Sequence, residues 1–373
     1  MKYPFLDLEI VNRPYMADME AAIARVCRSG RYIGGAEVES FEQNLAKLTG
    51  AAYAVGVSNG LDALRLILKA WIEMGKLQLG DEVIVPANTY VASVLAIVDA
   101  GLVPLLAEPS IETLNLDTSR LADYLTPRTR AVMTVHLYGR ACWDENLKSF
   151  AKANGLLVIE DNAQAIGAIA TTEGFGGSAV TGALGDAGAF SFYPTKNLGA
   201  MGDAGAVVTN EAELASVVRA LANYGSDRRY NNIYKGYNCR LDPIQAAVLN
   251  VKIADLKQVN AHRRALARIY DAEISNPLIR KPLLGGDDNV WHQYPVLADS
   301  RDEFIQYLAD NGVGTDIHYA TPPHRQPALC DISHAPLPIT EQIALQEVSL
   351  PISQCTSLDD ARVIASIINR FVK

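Results

Sequence analysis

The sequence predicts an α/β protein, with a mostly parallel central sheet covered by helices on both faces and a smaller C-terminal α/β unit after it. Three observations lead there. Short apolar runs near 53–57, 82–86, 103–107, 130–137, 156–160, 187–192 and 205–209 alternate with helix-like stretches, the rhythm of strand–helix–strand crossovers. Runs such as VIVP at 83–86 and LLVI at 156–159 are apolar at every position, as strands buried on both faces require. After Arg240 the rhythm changes to one long helix-like run, Leu241 to Ile274, with Asp242 near its start and Pro243 in its first turn. We therefore expect a large unit over 1–245 and a connector helix plus small unit over 246–373. The latter should carry a strand at 291–297, a helix at 301–311 and a last helix at 359–371.

Composition narrows the function. The 373 residues carry a formal net charge of -9, with a pI near 5.2, a poor match to nucleic acid or an anionic membrane surface. Cys27, Cys142, Cys239, Cys330 and Cys355 are odd in number and scattered, which indicates neither a disulfide framework nor a zinc site and favours the cytoplasm. The amino-terminal MKYPFLDLEIVNRP lacks a signal-peptide core, and the most apolar long stretch, Val91 to Ala107, is interrupted by Asp99 and Pro104, so no membrane segment is expected.

The first strand, at 53–57, runs into Ser58-Asn59-Gly60 and then a helix with Leu61, Leu64, Ile67, Leu68 and Trp71 on one face. The start of such a helix offers free backbone N–H groups and a positive dipole end, so Gly60 and Leu61 are candidate phosphate donors. Taken alone the segment equally reads as an ordinary capped helix. The second strand ends at Pro86, and Tyr90 follows in a loop, placed to stack on a flat ring or to serve as plain core.

The fifth strand closes in Glu160, Asp161, Asn162 and Gln164. Polar groups at a parallel strand's carboxyl end face the ligand crevice. A carboxylate there can keep a pyridine nitrogen protonated, which makes pyridoxal phosphate an electron sink, and Asp161 is the candidate. A helix N-cap or a metal ligand is the competing reading of Asp161. Gln164 can donate to such a ring's phenolic oxygen. The sixth and seventh strands flank GDAGAFSFYPTKNLGAMGDAGAV, where Lys196 sits in a loop with Gly199, Gly202 and Gly205, stiffened by Pro194. A lysine picked at random is a solvated surface charge. This one, partly desolvated among glycines and aromatics, reads as an amine able to form an imine.

These pieces together resemble the sugar aminotransferases of the DegT, DnrJ, EryC and StrS type, pyridoxal phosphate enzymes with the aspartate-aminotransferase-like fold. The resemblance runs from GRYIGGAEVESFE through PANTYVAS, VHLYG, IEDNAQAIGA, FYPTKNLGAMGDAGAV and GYNCRLDPIQAAVL to HYATPPHRQPAL. It implies Lys196 as the Schiff-base lysine, which also moves the proton as base and then acid. It implies Asp161 at the pyridine nitrogen, Gln164 at the phenolic oxygen, Tyr90 over the ring, and Gly60, Leu61 and Ser191 at the phosphate. Asn238 matches an asparagine that reaches the phosphate from the partner subunit, which implies an obligate homodimer. The implied reaction moves an amino group from L-glutamate to a nucleotide-linked keto sugar in a ping-pong cycle. Segments such as SNGLDAL and EDNAQAIGA, with Ile166 where many relatives have histidine, look most like enzymes that aminate carbon three of dTDP-linked 3-keto-6-deoxyhexoses; 4-aminotransferases are the near rivals. His318 and Tyr319 match the family's HY motif near the sugar. Tyr193 and Arg240, with Tyr224, Arg228, Arg229, Tyr230, Lys235 and His324, are further candidates for the anionic nucleotide. Two departures stand out, the glycine-rich Ala170 to Asp186 and the run Cys142-Trp143-Asp144, each able to reshape the sugar pocket or to decorate the surface.

Rival readings are a nicotinamide-dependent oxidoreductase, a pyridoxal-dependent sugar dehydratase and a non-catalytic regulator. The first rests on Gly174-Phe175-Gly176-Gly177-Ser178-Ala179, which follows polar residues instead of a strand and opens no helix. The second has histidine in place of the anchoring lysine, and Lys196 argues against it. The third has to explain why Lys196, Asp161 and Gln164 are all present.

Overall fold

A computed structural model describes residues 1–172 and 177–372. Seven strands form the main sheet: β1 (Tyr53–Val57), β2 (Glu82–Pro86), β3 (Val103–Ala107), β4 (Thr129–Val135), β5 (Leu157–Asp161), β6 (Ala187–Ser191) and β7 (Gly205–Thr209). Their spatial order is β1-β7-β6-β5-β4-β2-β3, and only β7 runs against the rest. The expected mostly parallel sheet is therefore present, with Lys196 in the long loop, 192–204, that joins the antiparallel neighbours β6 and β7.

Direction follows from packing. The helix α3 (Gly60–Glu73), preceded in the chain by α1 (Met16–Ser29) and α2 (Ala36–Thr49), buries Ala63, Leu64, Leu66, Ile67, Leu68, Ala70 and Trp71. With α4 (Val91–Asp99) and α6 (Ala212–Ala222) it covers one face of the sheet, while α2, α7 (Pro243–Ile253) and α5 (Glu145–Asn154) contribute to clusters that include other sheet residues. Because all strands but β7 point one way, the carboxyl ends of β1, β2, β5 and β6 meet at one edge. That edge is where ligands bind in open α/β sheets.

Three expectations need correction. The helix-like run 241–274 is two helices, α7 and α8 (Leu256–Glu273), because the chain turns at Ala254–Asp255. The backbone carbonyl of Asp255 accepts from Gln258 and Val259 N–H, so this cap-favouring residue restarts the helix. The expected strand at 291–297 begins only at Tyr294, since Trp291 turns with φ 49 and its N–H is held by Asn289 Oδ1 at 2.9 Å. The run Cys142-Trp143-Asp144 lines no part of the cavity around Lys196: Cys142 and Trp143 are buried beside Leu116 and Leu147, half-buried Asp144 caps α5 through Leu147 N–H, and all three line a separate cavity of about 410 Å³.

The C-terminal sheet joins β8 (Ile279–Arg280), β9 (Tyr294–Ala298) and β10 (Glu347–Leu350), all antiparallel. Its core packs Tyr270, Trp291, Tyr294 and Phe304 against α8, α9 (Arg301–Asp310) and α11 (Leu358–Asn369); α10 (Pro338–Gln346) leads into β10. Tyr3, from the other end of the chain, belongs to this cluster and bridges Val313. Arg263 of α8 is buried and donates to the carbonyls of Trp291, His292 and Ile352 at 2.8–3.1 Å. A small antiparallel pair, 169–172 with 177–180, occupies the glycine-rich departure, and the oxidoreductase-like segment beginning at 174 falls partly outside the described residues. Among the described residues no helix is long and apolar enough to cross a membrane.

Candidate active site

A cavity of about 560 Å³ opens at the carboxyl edge of the sheet. Gly60 and Leu61 reach it from the start of α3, where Asn59 caps the helix by accepting from Asp62 N–H at 2.8 Å. The first-turn N–H groups of a helix have no partner inside it, so this end suits an anion. Ser191, the last residue of β6, lines the same wall. The approach is close: a Cβ on Gly60 would stand 2.7 Å from Ser191 Cβ, and one on Gly205 2.3 Å from the Asn59 carbonyl. Glycine at both places lets helix start and strand end form one cradle.

Asp161 and Glu160 point to opposite faces of β5, as neighbours in a strand must. Glu160 is buried away from the cavity, bonded to His136 Nε2 at 2.9 Å and to the N–H groups of Gly182, Leu184 and Gly185. Asp161 faces the cavity, accepting from Ser93 Oγ at 2.7 Å and Ala163 N–H at 3.2 Å. Burial raises its pKa, against the pull of those two donors and of Lys196. A buried carboxylate in this condition is stabilised by a cation brought to it.

Lys196 lines the cavity with Asp161. Its loop is fixed by Lys196 N–H to Tyr193 O and Ala200 N–H to Phe192 O, both 2.8 Å, and by Asn197 Nδ2 to Asn260 Oδ1 and Val290 O, both 3.0 Å. Buried Lys252 donates to Gly199 O from beneath. Burial pushes the Lys196 ammonium down to about 8, partly opposed by Asp161. An amine that sheds its proton near neutral pH is what imine formation needs.

Across the cavity stand Tyr90 and Tyr319, their ring centroids 5.1 Å apart. Gln164 Nε2 donates to Tyr319 Oη at 3.0 Å while its Oε1 accepts from Tyr138 N–H, so the amide is fixed in orientation. Tyr193 and His318 also line the cavity. One cavity thus gathers Gly60, Leu61, Tyr90, Asp161, Gln164, Ser191, Tyr193, Lys196, His318 and Tyr319.

Other candidates lie elsewhere. Asn238 is exposed and pairs with Asn223, to whose Oδ1 Arg240 donates at 2.8 Å, with the Arg240 guanidinium 5.5 Å from the Tyr224 ring centroid. Tyr224, Arg228, Arg229, Tyr230 and Lys235 belong to the neighbouring segment around the 226–228/231–232 hairpin, outside this chain's cavity. His324 is buried against Glu341 at 3.3 Å and beside His334, away from Lys196. Sequence reasoning missed Ser93, His292 and Gln293. The last two carried a signal, two polar residues inside the otherwise apolar VWHQYPVL.

The donor set fits pyridoxal phosphate on each of its features. The cradle suits an anionic phosphate, buried Asp161 a protonated ring nitrogen, the Tyr90 side a flat ring, and the Lys196 amine an aldehyde carbon. Fold and site together define a pyridoxal phosphate-dependent enzyme.

The chain belongs to the DegT/DnrJ/EryC1/StrS aminotransferase family, whose profile matches residues 15–369. It is 47% identical over 369 residues to a dTDP-3-amino-3,6-dideoxy-alpha-D-galactopyranose transaminase of Aneurinibacillus thermoaerophilus, covering 99% of both chains. It is 44% identical over 358 residues to a dTDP-3-amino-3,4,6-trideoxy-alpha-D-glucose transaminase of Streptomyces venezuelae, covering 94% of this chain and 91% of that one. The crystal structure of S. venezuelae DesV in complex with a ketimine intermediate superposes with a TM-score of 0.93 at 41% identity, covering 100% of both chains. This family places the protein among the aminotransferases and sets aside the oxidoreductase reading.

Proposed function

We propose that the protein moves an amino group from L-glutamate to carbon three of a dTDP-linked 3-keto-6-deoxyhexose, in the cytoplasm, on a route to a deoxyamino sugar of a glycoconjugate. The observation that carries the reading is the Lys196 amine, half-buried and held near 8, in one cavity with Asp161 and the Gly60–Ser191 cradle. Names of the relatives at 47% and 44% identity support carbon three.

Bound there, pyridoxal phosphate supplies an electron sink for the pair left when a carbon-bound proton departs. Lys196 would hold it, and the free Lys196 amine is the group placed to take a proton from the donor carbon and return it to the accepting carbon. Asp161 keeps the ring nitrogen charged, and Ser93 with Ala163 N–H keeps that carboxylate turned inward. Gly60, Leu61 and Ser191 would hold the phosphate, Tyr90 would cover the ring, Gln164 would meet its phenolic oxygen, and Tyr193, His318 and Tyr319 would face the sugar. Asn238 and Arg240, exposed or half-buried outside their own cavity, suit an obligate homodimer in which they reach the partner's site.

The test is a spectrophotometric titration of the purified protein. Visible absorbance of the bound cofactor should disappear with L-glutamate and return with the dTDP-3-keto sugar. Return with the 4-keto isomer alone moves the enzyme to the 4-aminating branch, and no cofactor absorbance after adding pyridoxal phosphate refutes the assignment.

A further inference from the structure

A second set of polar groups reaches Lys196 from the approach to β9, and the function above makes no use of it. His292 is buried, with Nε2 3.5 Å from Lys196 Nζ. Its tautomer follows from its neighbours. Asn197 Nδ2 gives its two protons to Asn260 Oδ1 and Val290 O, so the 3.2 Å contact of Asn197 Oδ1 with His292 Nδ1 requires the proton on Nδ1. Nε2 is then a bare acceptor. Gln293 Nε2 stands 3.5 Å from His292 Nε2 and 3.3 Å from His318 Nε2, with one proton for each. His318 Nδ1 lies 2.9 Å from Ser349 Oγ, which donates to Glu347 Oε1 at 2.6 Å. Both rings therefore turn an Nε2 lone pair toward Gln293, and the single lone pair of His292 is shared between Gln293 Nε2 and Lys196 Nζ, each 3.5 Å away.

We propose that His292 is a positioning residue for Lys196: its bare Nε2 accepts a hydrogen bond from the amino group whenever that group is not covalently engaged, and holds it beside the reacting carbon. The inference rests on Lys196 being the Schiff-base lysine. The proton leaves carbon, whose electron pair stays behind, and goes to Lys196 Nζ; it returns from Nζ to the accepting carbon, and His292 neither gains nor loses one. The other groups that act electrostatically on this amine or this ring are Asp161, Arg263 and His318. Burial and the nearby cations push His292 well below its ordinary range, so the imidazole orients the ammonium without taking its proton. A carboxylate in the same place would hold the ammonium too firmly to release its proton.

The experiment is competitive acetylation of the full-length, cofactor-free protein across pH, reading the Lys196 peptide by mass spectrometry. In His292→Asn, whose amide replaces Nδ1 and leaves the lysine without an acceptor, the Lys196 midpoint should fall by about one pH unit, because an acceptor favours the charged amine. In His292→Gln, whose amide reaches the Nε2 position, it should return to the wild-type value. Midpoints equal to wild type in both variants overturn the proposal. A second measurement reads the tautomer in wild-type protein: in nitrogen-15 correlation spectra of its six histidines, the His292 ring, assigned by its absence from the His292→Gln spectrum and so distinguished from His318, should be neutral, protonated on Nδ1 and perturbed by acetylation of Lys196, and Nε2 protonation of that ring overturns the proposal. Added pyridoxal phosphate should protect wild-type Lys196 from acetylation; failure there refutes the anchoring role, whatever the titrations give.

Discussion

Replacing Gly60 with alanine tests the cradle directly. The new Cβ would lie 2.7 Å from Ser191 Cβ and 3.3 Å from Ser191 Cα and Oγ, where apolar atoms normally rest about 3.5–4.0 Å apart. About 1 Å of separation has to come from somewhere. The helix α3 cannot retreat easily, since it is anchored by Leu64, Leu66, Ile67, Leu68 and Trp71, all buried. Ser191 cannot either, because β6 is paired on both sides. Overpacking of this kind costs about 1–3 kcal/mol, and the helical advantage of alanine over glycine, about 0.5–1 kcal/mol, offsets part of it. A net loss of about 1–2 kcal/mol in fold stability is modest beside the local effect. Withdrawing one backbone N–H from a phosphate removes a charge-assisted bond, typically about 1.5–3 kcal/mol, which is about a ten- to hundredfold weaker cofactor Kd. The assay is equilibrium titration of the cofactor-free variant with pyridoxal phosphate, beside urea denaturation. Gly286→Ala is the control, because its Cβ meets nothing closer than Asp288 Oδ1 at 3.9 Å. Wild-type affinity in Gly60→Ala would refute the phosphate site.

Lys196→Arg should abolish turnover, since a guanidinium forms no imine; amination of a keto sugar at the normal rate would overturn the mechanism. Mixing Lys196→Arg chains with Asn238→Ala chains should give hybrids more active than either parent, because one site per dimer then has both an intact lysine and an intact partner asparagine; activity no higher than the parents would argue against a shared site. Lys252, like Lys196, is pushed by burial to about 8. An amine whose folded pKa lies below its unfolded value weakens the fold as pH falls from the unfolded pKa toward the folded one, so the cofactor-free protein should gain stability between about pH 8 and about pH 10. Lys252→Met should flatten that gain in urea midpoints, and an unchanged slope would show that Lys252 is not the source.

Much of the site was legible because it lies in short contiguous motifs at strand ends, where a burst of polar residues after an apolar run marks the crevice. Lys196, Asp161 and Gly60 each announce themselves this way. His292 gave a weaker signal, two polar residues inside an apolar run that reads as a strand continuing into Tyr294 and Val296, and its company is decided by Asn197, distant in sequence. The turn at Asp255 was hidden for a related reason: apolar spacing continues across it, and the direction changes only where Asp255 takes over as acceptor for the next helix. His324 shows the opposite error, a polar residue near a promising motif whose partner, Glu341, lies in another helix.

The segment just before β9 ties one half of the molecule to the other. Val290 N–H bonds Gly139 O at 2.9 Å, Gln293 N–H bonds Tyr138 O, and Ala141 N–H bonds Asp288 O at 2.7 Å, while Arg263 clasps the carbonyls of Trp291 and His292 from the opposite side. A strip laced on both edges makes a poor hinge. Swinging the C-terminal sheet about this strip would break these bonds, so the strip holds Gln293 and His292 at a set height over the floor of the cleft.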